Sequence, residues 1–197
     1  MKNKKKFMLL LIGIFICLLL FSIIQIYAKY LTSSTGKTNL TIAKWNIIVN
    51  KKSIKNNSDI SSEIVPVFEG NDNISAGIIA PTATGYFDLD FDFKDADVSF
   101  KYEINVSAAE NSSVQDLVAT GYSIDNGETI NFDTFNQTIS DTILLSSDIK
   151  QRKIRVYILW NDDAKTETMS NEDDTASAIF DTPALLSVNI SFTQVAE

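Results

Sequence analysis

The chain has 197 residues, 25 acidic and 17 basic, for a formal net charge of −8, with no histidine and 1 cysteine. That balance argues against nucleic acid as a partner, because nucleic-acid binders carry a basic footprint. Without histidine there is no Ser-His-Asp or Cys-His triad and no histidine metal site. With Cys17 as its only cysteine the chain forms no internal disulfide, so its core alone must hold the fold.

The chain opens on an export-type segment. Lys2, Lys4, Lys5 and Lys6 precede an almost unbroken apolar run from Phe7 to Ile24, and no acid occurs before Ala28. A basic head followed by an apolar run is read by both a secretion machine and a bilayer. At about 1.5 Å of rise per residue, the run is long enough to span hydrocarbon as a helix. Residues 1–28 are therefore expected to be a signal peptide or a membrane anchor, and the rest of the chain to work outside the cytoplasm. Two outcomes stay open. Ala28 is a usable small residue for cleavage, although Ile26 two positions earlier is bulky; if uncut, residues 7–28 hold the chain in the membrane. Cys17 follows Ile14, Phe15 and Ile16, which is not a lipoprotein signal. Leu31 to Thr38 is small and polar, so residues 29–38 read as a flexible spacer.

A domain is expected over residues 39–197. In Asn39 to Asn50, Leu40, Ile42, Lys44, Asn46 and Ile48 alternate with Thr41, Ala43, Trp45, Ile47 and Val49, which predicts a strand. Residues 51–62 read as a loop, and Glu63 to Glu69 as a short strand confined to an edge by Pro66. Ala80-Pro81 and Gly85 bracket a turn. Tyr86 to Phe93 then alternates cleanly: Phe87, Leu89, Phe91 and Phe93 on one face, Asp88, Asp90 and Asp92 on the other. Val98, Phe100, Tyr102, Ile104 and Val106 repeat the pattern, so the two strands are expected to pair as a hairpin, with Lys101 offsetting part of the aspartate row.

Leu117 to Ile124, Thr129 to Phe135 and Thr138 to Leu145 are further expected strands, with Asn126-Gly127 as a tight-turn signal. Lys153 to Trp160 places Ile154, Val156, Ile158 and Trp160 on a core face. Asn161 to Thr175 reads as a mobile acidic loop, and Ala176 to Phe180 as one helical turn or a short strand. Leu185 to Gln194 is the last strand. Many short strands with turn signals between them predict an all-β chain: a single jelly-roll or Ig-like antiparallel β-sandwich behind an N-terminal hydrophobic helix.

Candidate sites are sparse. Asp88, Asp90 and Asp92 share a strand face, with Asp95 and Asp97 just beyond, and such oxygens suit calcium. Side chains two apart on a strand stand about 7 Å apart, however, too far for all three to meet one ion, so a solvated face is the plainer expectation. Trp45 and Trp160 could form a sugar-binding face only if exposed; a place in the core is the expected one. No cofactor is implied.

The junction Ala28-Lys29-Tyr30 and the stretch Ile42-Ala43-Lys44-Trp45-Asn46 resemble Gram-positive exported proteins, of clostridial type, that are handled by a SipW-type signal peptidase. Ile79-Ala80-Pro81-Thr82-Ala83-Thr84-Gly85-Tyr86-Phe87 is similar to a turn-and-strand motif of such proteins, with Thr82 where the motif has glycine. The likeness extends more distantly to the TasA and camelysin biofilm-matrix family. It implies a jelly-roll-like sandwich, and fibres formed when an N-terminal strand of one subunit completes the sheet of the next. The matching donor residues here are Leu40, Ile42, Lys44, Trp45, Ile47 and Val49. A protease activity described for camelysin is not carried over, since this chain has no histidine. The expected function is a non-enzymatic structural or matrix protein whose partners are the signal peptidase, further copies of itself or other matrix proteins. The alternative is a membrane-anchored binding module for cell-wall glycan or another surface protein.

Overall fold

The computed structural model describes residues 4–6, 8, 12–18, 43–54, 63–179 and 183–195. The chain divides into two compact units, Met1–Thr41 and Ile42–Glu197. In the first, residues 4–6, 8 and 12–18 are helical and Cys17 is exposed. Among the described residues no helix is long and apolar enough to cross a membrane. Ala28, the spacer 29–38, and Leu40 and Ile42 of the expected donor strand lie outside the described residues.

The second unit is built from β1 (Trp45–Val49), β2 (Lys52–Ser53), β3 (Thr84–Ala96), β4 (Phe100–Ala108), β5 (Leu117–Ile124), β6 (Ile130–Asn131), β7 (Ile139–Ile143), β8 (Gln151–Trp160) and β9 (Leu186–Gln194), with helix α1 (Asn171–Ile179) before β9. The strands form two antiparallel sheets. One has six strands in the order β2-β1-β3-β8-β5-β6, the other three in the order β7-β4-β9. The all-β reading holds, and alternation explains it. Phe87, Leu89, Phe91 and Phe93 of β3, Phe100, Tyr102, Ile104 and Val106 of β4, and Ile154, Val156 and Ile158 of β8 alternate with outward residues and form one buried cluster fed by both sheets. Phe91 meets Tyr102 edge-to-face at 5.4 Å between ring centroids, and Phe93 meets Phe100 at 5.3 Å.

The expected hairpin between the Asp-row strand and the next is not formed. β3 pairs with β1 and β8, while β4 pairs with β7 and β9. The chain turns a corner after Ala96 and crosses to the other sheet. β1 occupies the edge of β3 that a hairpin would need: Trp45 lies opposite Ala96, Asp97 N–H donates to the Lys44 carbonyl at 2.9 Å, and Lys44 N–H donates to Asp97 Oδ2 at 2.8 Å. Lys101 consequently sits away from the aspartate row and pairs with Glu103 on its own strand at 2.6 Å.

Several shorter expectations also change. Residues 51–62 are not all loop, because β2 folds back on β1 through a two-residue turn at Asn50 (φ 47°) and Lys51 (φ 70°). Positive φ at both positions matches the twist of the flanking strands. Asn50 locks this hairpin to β3: its Oδ1 accepts the Asp90 N–H at 2.7 Å, and its own N–H donates to the Asp90 carbonyl at 2.9 Å. The Glu63 to Glu69 strand reduces to one bridge, Val67 with Tyr86, and Thr129 to Phe135 reduces to β6.

The acidic stretch 161–175 is not a mobile loop throughout. Its second part enters α1 through a capping box. Ser170 N–H and Oγ donate to Asp173 Oδ2 at 3.1 and 2.8 Å, and Asp173 N–H donates back to Ser170 Oγ at 3.3 Å. Acids in the first turn of a helix also complement its dipole. These bonds hold the Asp173 carboxyl below its usual range.

The turn before β3 carries a strained residue. Ala83 N–H donates to the Ala80 carbonyl at 2.8 Å, closing a turn with Pro81 second and Thr82 third, and Thr82 has φ of 67°. A type II turn requires positive φ at the third position and favours glycine there. A β-branched residue in that region is strained by about 1–2 kcal/mol, partly offset in the glycine variant by the greater freedom of its unfolded chain. Thr82→Gly is expected to stabilise the protein by about 1 kcal/mol, raising Tm by about 2–4 °C. A Tm equal to or below wild type would refute this assignment of strain.

Candidate functional site

The outer face of the six-stranded sheet is set by what the inner face buries. Phe87 and Leu89 point into the core from β3, as do Val156 and Ile158 from β8, so Tyr86 and Asp88, and Arg155 and Tyr157, point away. Register places Tyr86 opposite Tyr157 and Asp88 opposite Arg155. Arg155 grips Asp88 with two bonds, Nε to Oδ1 at 2.8 Å and Nη2 to Oδ2 at 3.0 Å. Its guanidinium lies 3.8 Å from the Tyr86 ring centroid. Lys153 adds an ion pair to Asp88 at 3.0 Å. The bonds from Arg155, helped by Lys153 and opposed by burial, hold the Asp88 carboxyl below the usual carboxylate range, and the same carboxylate raises Arg155 and Lys153.

The rest of the aspartate row differs from residue to residue. Asp92 accepts from Lys94 Nζ at 3.2 Å and from Gln151 Nε2 at 3.1 Å. Burial opposes its ionisation, but the bonds from Lys94 and Gln151 outweigh that and lower its pKa. Asp90 is exposed, Asp95 lies opposite Asn46 in the β1–β3 ladder, and Asp97 caps Lys44. Among the described residues no group of three or more acidic, cysteine or histidine side chains is placed to hold a metal ion. Among the described residues Asp88 is the member of the row that is ion-paired to β8, with Arg155 and Lys153 in the role expected of Lys101.

Beside the Asp88–Arg155 pair the outer face opens into a cleft of about 540 Å³. Tyr86, Arg155 and Tyr157 form its floor. Thr120, Thr129 and Asn131 line one side, and the loop from Phe68 to Ile78 the other. That loop is stiffened from within. Asn71 Oδ1 accepts from Asn73 and Ile74 N–H at 2.8 and 3.0 Å, and Gly77 N–H donates to the Phe68 carbonyl at 2.8 Å. Gly70 has φ of 76°, and a Cβ there would stand 2.5 Å from Ala76 N, so the bend needs glycine. Tyr157 Oη lies 3.4 Å from Ser123 Oγ, and hydrogen bonding with Ser123 and Thr129 lowers its pKa. The sequence marks none of this as a site, because the floor comes from strands far apart in the chain; only the register brings them together.

A second feature is the edge at β9. Among the described residues β9 has one strand neighbour, β4. It is 9 residues long, LSVNISFTQ, with no charge and no proline. Leu186, Val188, Ile190 and Phe192 pack on the core but are only partly buried. Long edge strands are usually blunted by lysine, proline or bulges, and β9 carries neither residue.

The other expected site residues fall inside the fold. Trp160 is 4% exposed, while Trp45 is half-buried and packs edge-on to Phe100 at 5.8 Å against the main core. Trp45, Ile47 and Val49 form β1 within their own sheet, with Ile47 and Val49 fully buried, and Lys44 immediately precedes it. No family model matches the chain, and no curated protein matches it.

Proposed function

We propose that the chain is an exported, non-enzymatic structural or matrix subunit of the cell surface, a jelly-roll-like sandwich behind a signal or anchor segment, which assembles with further copies by strand addition. The observation that supports this reading is the β9 edge, which has no strand on its far side among the described residues. The outward backbone groups of nine uncharged residues, which pair with no strand among the described residues, are a template for another strand, and the half-covered apolar row beside them offers pockets for its alternate side chains. β1 is engaged in its own sheet, so the donor is the chain just before it in a second copy, residues 31–43, which include Leu40 and Ile42. The lysine-rich head and the Phe7 to Ile24 run support export, with a SipW-type peptidase cutting near Ala28.

The test uses the full chain expressed in a Gram-positive host, recovered from medium and membranes, with N-terminal sequencing of each fraction. Light scattering and electron microscopy should show oligomers or filaments for wild type. Asn189→Lys/Ser191→Lys/Thr193→Lys, three exposed positions of β9, should leave the protein monomeric with its thermal unfolding unchanged. Assembly of the lysine variant to the wild-type extent, or a strictly monomeric wild type, would end the proposal.

A further inference from the structure

The cleft on the outer face of the six-stranded sheet is not needed for strand addition at β9, which lies in the other sheet. At about 540 Å³ it falls within the roughly 300–1,000 Å³ usual for small-ligand sites. Its chemistry narrows the ligand. Of its lining residues only Glu69 and Arg155 are charged, and Arg155 is already neutralised by the two-bond grip of Asp88. An anion would meet no unspent positive charge here and would approach a protein of net charge −8. A cation would find no acceptor on the guanidinium, and Glu69 is the one carboxylate among the lining residues. What remains is a mixed surface: the Tyr157 ring, the flat Arg155–Tyr86 stack, and threonine hydroxyls and the Asn131 amide along one side.

That mixture suits a ligand with apolar ring faces and a rim of hydroxyls. Sugar rings present C–H faces that lie on aromatic or guanidinium planes, while their hydroxyls pair with side-chain amides and hydroxyls. The floor is also held in place before any ligand arrives. Asp88 fixes the guanidinium in its plane, Ser123 braces the Tyr157 phenol, and the Asn71 turn stiffens the opposite wall. Prior ordering of this kind lowers the entropy lost on binding. We propose that the cleft floored by Tyr86, Arg155 and Tyr157 binds a neutral saccharide. Sugar recognition thereby moves from the buried Trp160 and the half-buried Trp45 to the tyrosine and arginine face.

The probe is chitotetraose, a neutral N-acetylated oligosaccharide, with tri-galacturonate as its anionic counterpart. Each is titrated against the full-length chain in detergent and followed by saturation-transfer NMR and calorimetry. Wild type should bind chitotetraose in the millimolar range or tighter, and tri-galacturonate at least tenfold more weakly. Tyr157→Ala should weaken chitotetraose at least tenfold. Asn131→Trp, at an exposed rim position that leaves the floor untouched, should do the same by filling the cleft; Ser140→Trp, on the other sheet, should bind as wild type does. Absence of binding at 10-fold above the millimolar range, equal or tighter binding of the anionic sugar, or full binding by folded Asn131→Trp would each overturn the proposal. Self-association is read separately, so failure here leaves the strand-addition reading intact, and the reverse also holds.

Discussion

Phe91→Ala is expected to destabilise the protein by about 3–5 kcal/mol, the usual cost of truncating a buried phenylalanine. Phe91 is 2% exposed and belongs to β3, yet its two edge-to-face partners, Tyr102 and Phe192, come from the opposite sheet at 5.4 and 5.6 Å. The mutation therefore opens a void where the sheets meet and removes two aromatic contacts worth about 0.5–1.5 kcal/mol each beyond area burial. Little can collapse into that void, because the residues opposite Phe91, Val49 on β1 and Arg152 on β8, are held by strand pairing on both sides of β3. Against a typical stability of about 5–15 kcal/mol, this is a large share. Urea unfolding followed by tryptophan fluorescence should show the midpoint falling by about 2 M. Phe135→Ala, at a position 41% exposed, should change stability by less than about 0.5 kcal/mol. A Phe91→Ala loss under about 1 kcal/mol would mean that the sheets do not depend on this contact.

The same contact shows what the sequence could and could not tell. Alternation in Phe87 to Phe93 and in Phe100 to Val106 identified the buried side chains residue by residue. It was silent on whether the two strands lie side by side in one sheet or face each other across the core, because both arrangements bury the same faces. Proximity in the chain favoured a hairpin; the competing β1 pairing at Trp45 and Ala96 decided otherwise. The error then carried into the electrostatics, since Lys101 followed the wrong partner while Arg155 and Lys153, about sixty residues further on, took its place. The capping box at Ser170 and Asp173 was legible in the spacing, but the surrounding run of acids reads as a solvated loop when composition is weighed before position. Thr82 illustrates the opposite case. Pro81 before it signalled the turn, whereas the positive φ at a β-branched residue is visible only in the backbone. The cleft was the least legible feature, being assembled from β3, β5, β6 and β8 and a loop, without any local motif.

Asp116→Ala is expected to cost about 2–3 kcal/mol and to act on the region between β8 and β9 before the sheets. Asp116 is 3% exposed. It accepts the Thr168 N–H at 2.8 Å, the Thr168 hydroxyl at 2.6 Å and the Met169 N–H at 2.7 Å, and its own carbonyl takes the Asn161 N–H at 2.9 Å. One carboxylate thus ties residues 161–169, and through them the cap of α1, to the start of β5. Hydrogen bonds to a charged acceptor contribute about 1.5–3 kcal/mol each, and water reaching the exposed Thr168 recovers part of what is lost. Beneath this tie lies a small separate core of Val114, Leu117 and Trp160, with Met169 packed on it. Losing the tie should loosen Met169 and uncover Trp160. Asp174, whose carboxyl is buried in α1 and pushed up by that burial, sits over the same tryptophan. The expected signature is local: faster hydrogen exchange at Thr168 and Met169 and through α1, a red shift of tryptophan emission, and unchanged exchange at Leu89 and Ile104 in the main core. Asp116→Asn retains one acceptor oxygen and should fall between wild type and Asp116→Ala. Uniformly faster exchange across both sheets would instead make Asp116 part of the global folding unit, and an unchanged α1 would mean that the capping box at Ser170 holds the helix without it.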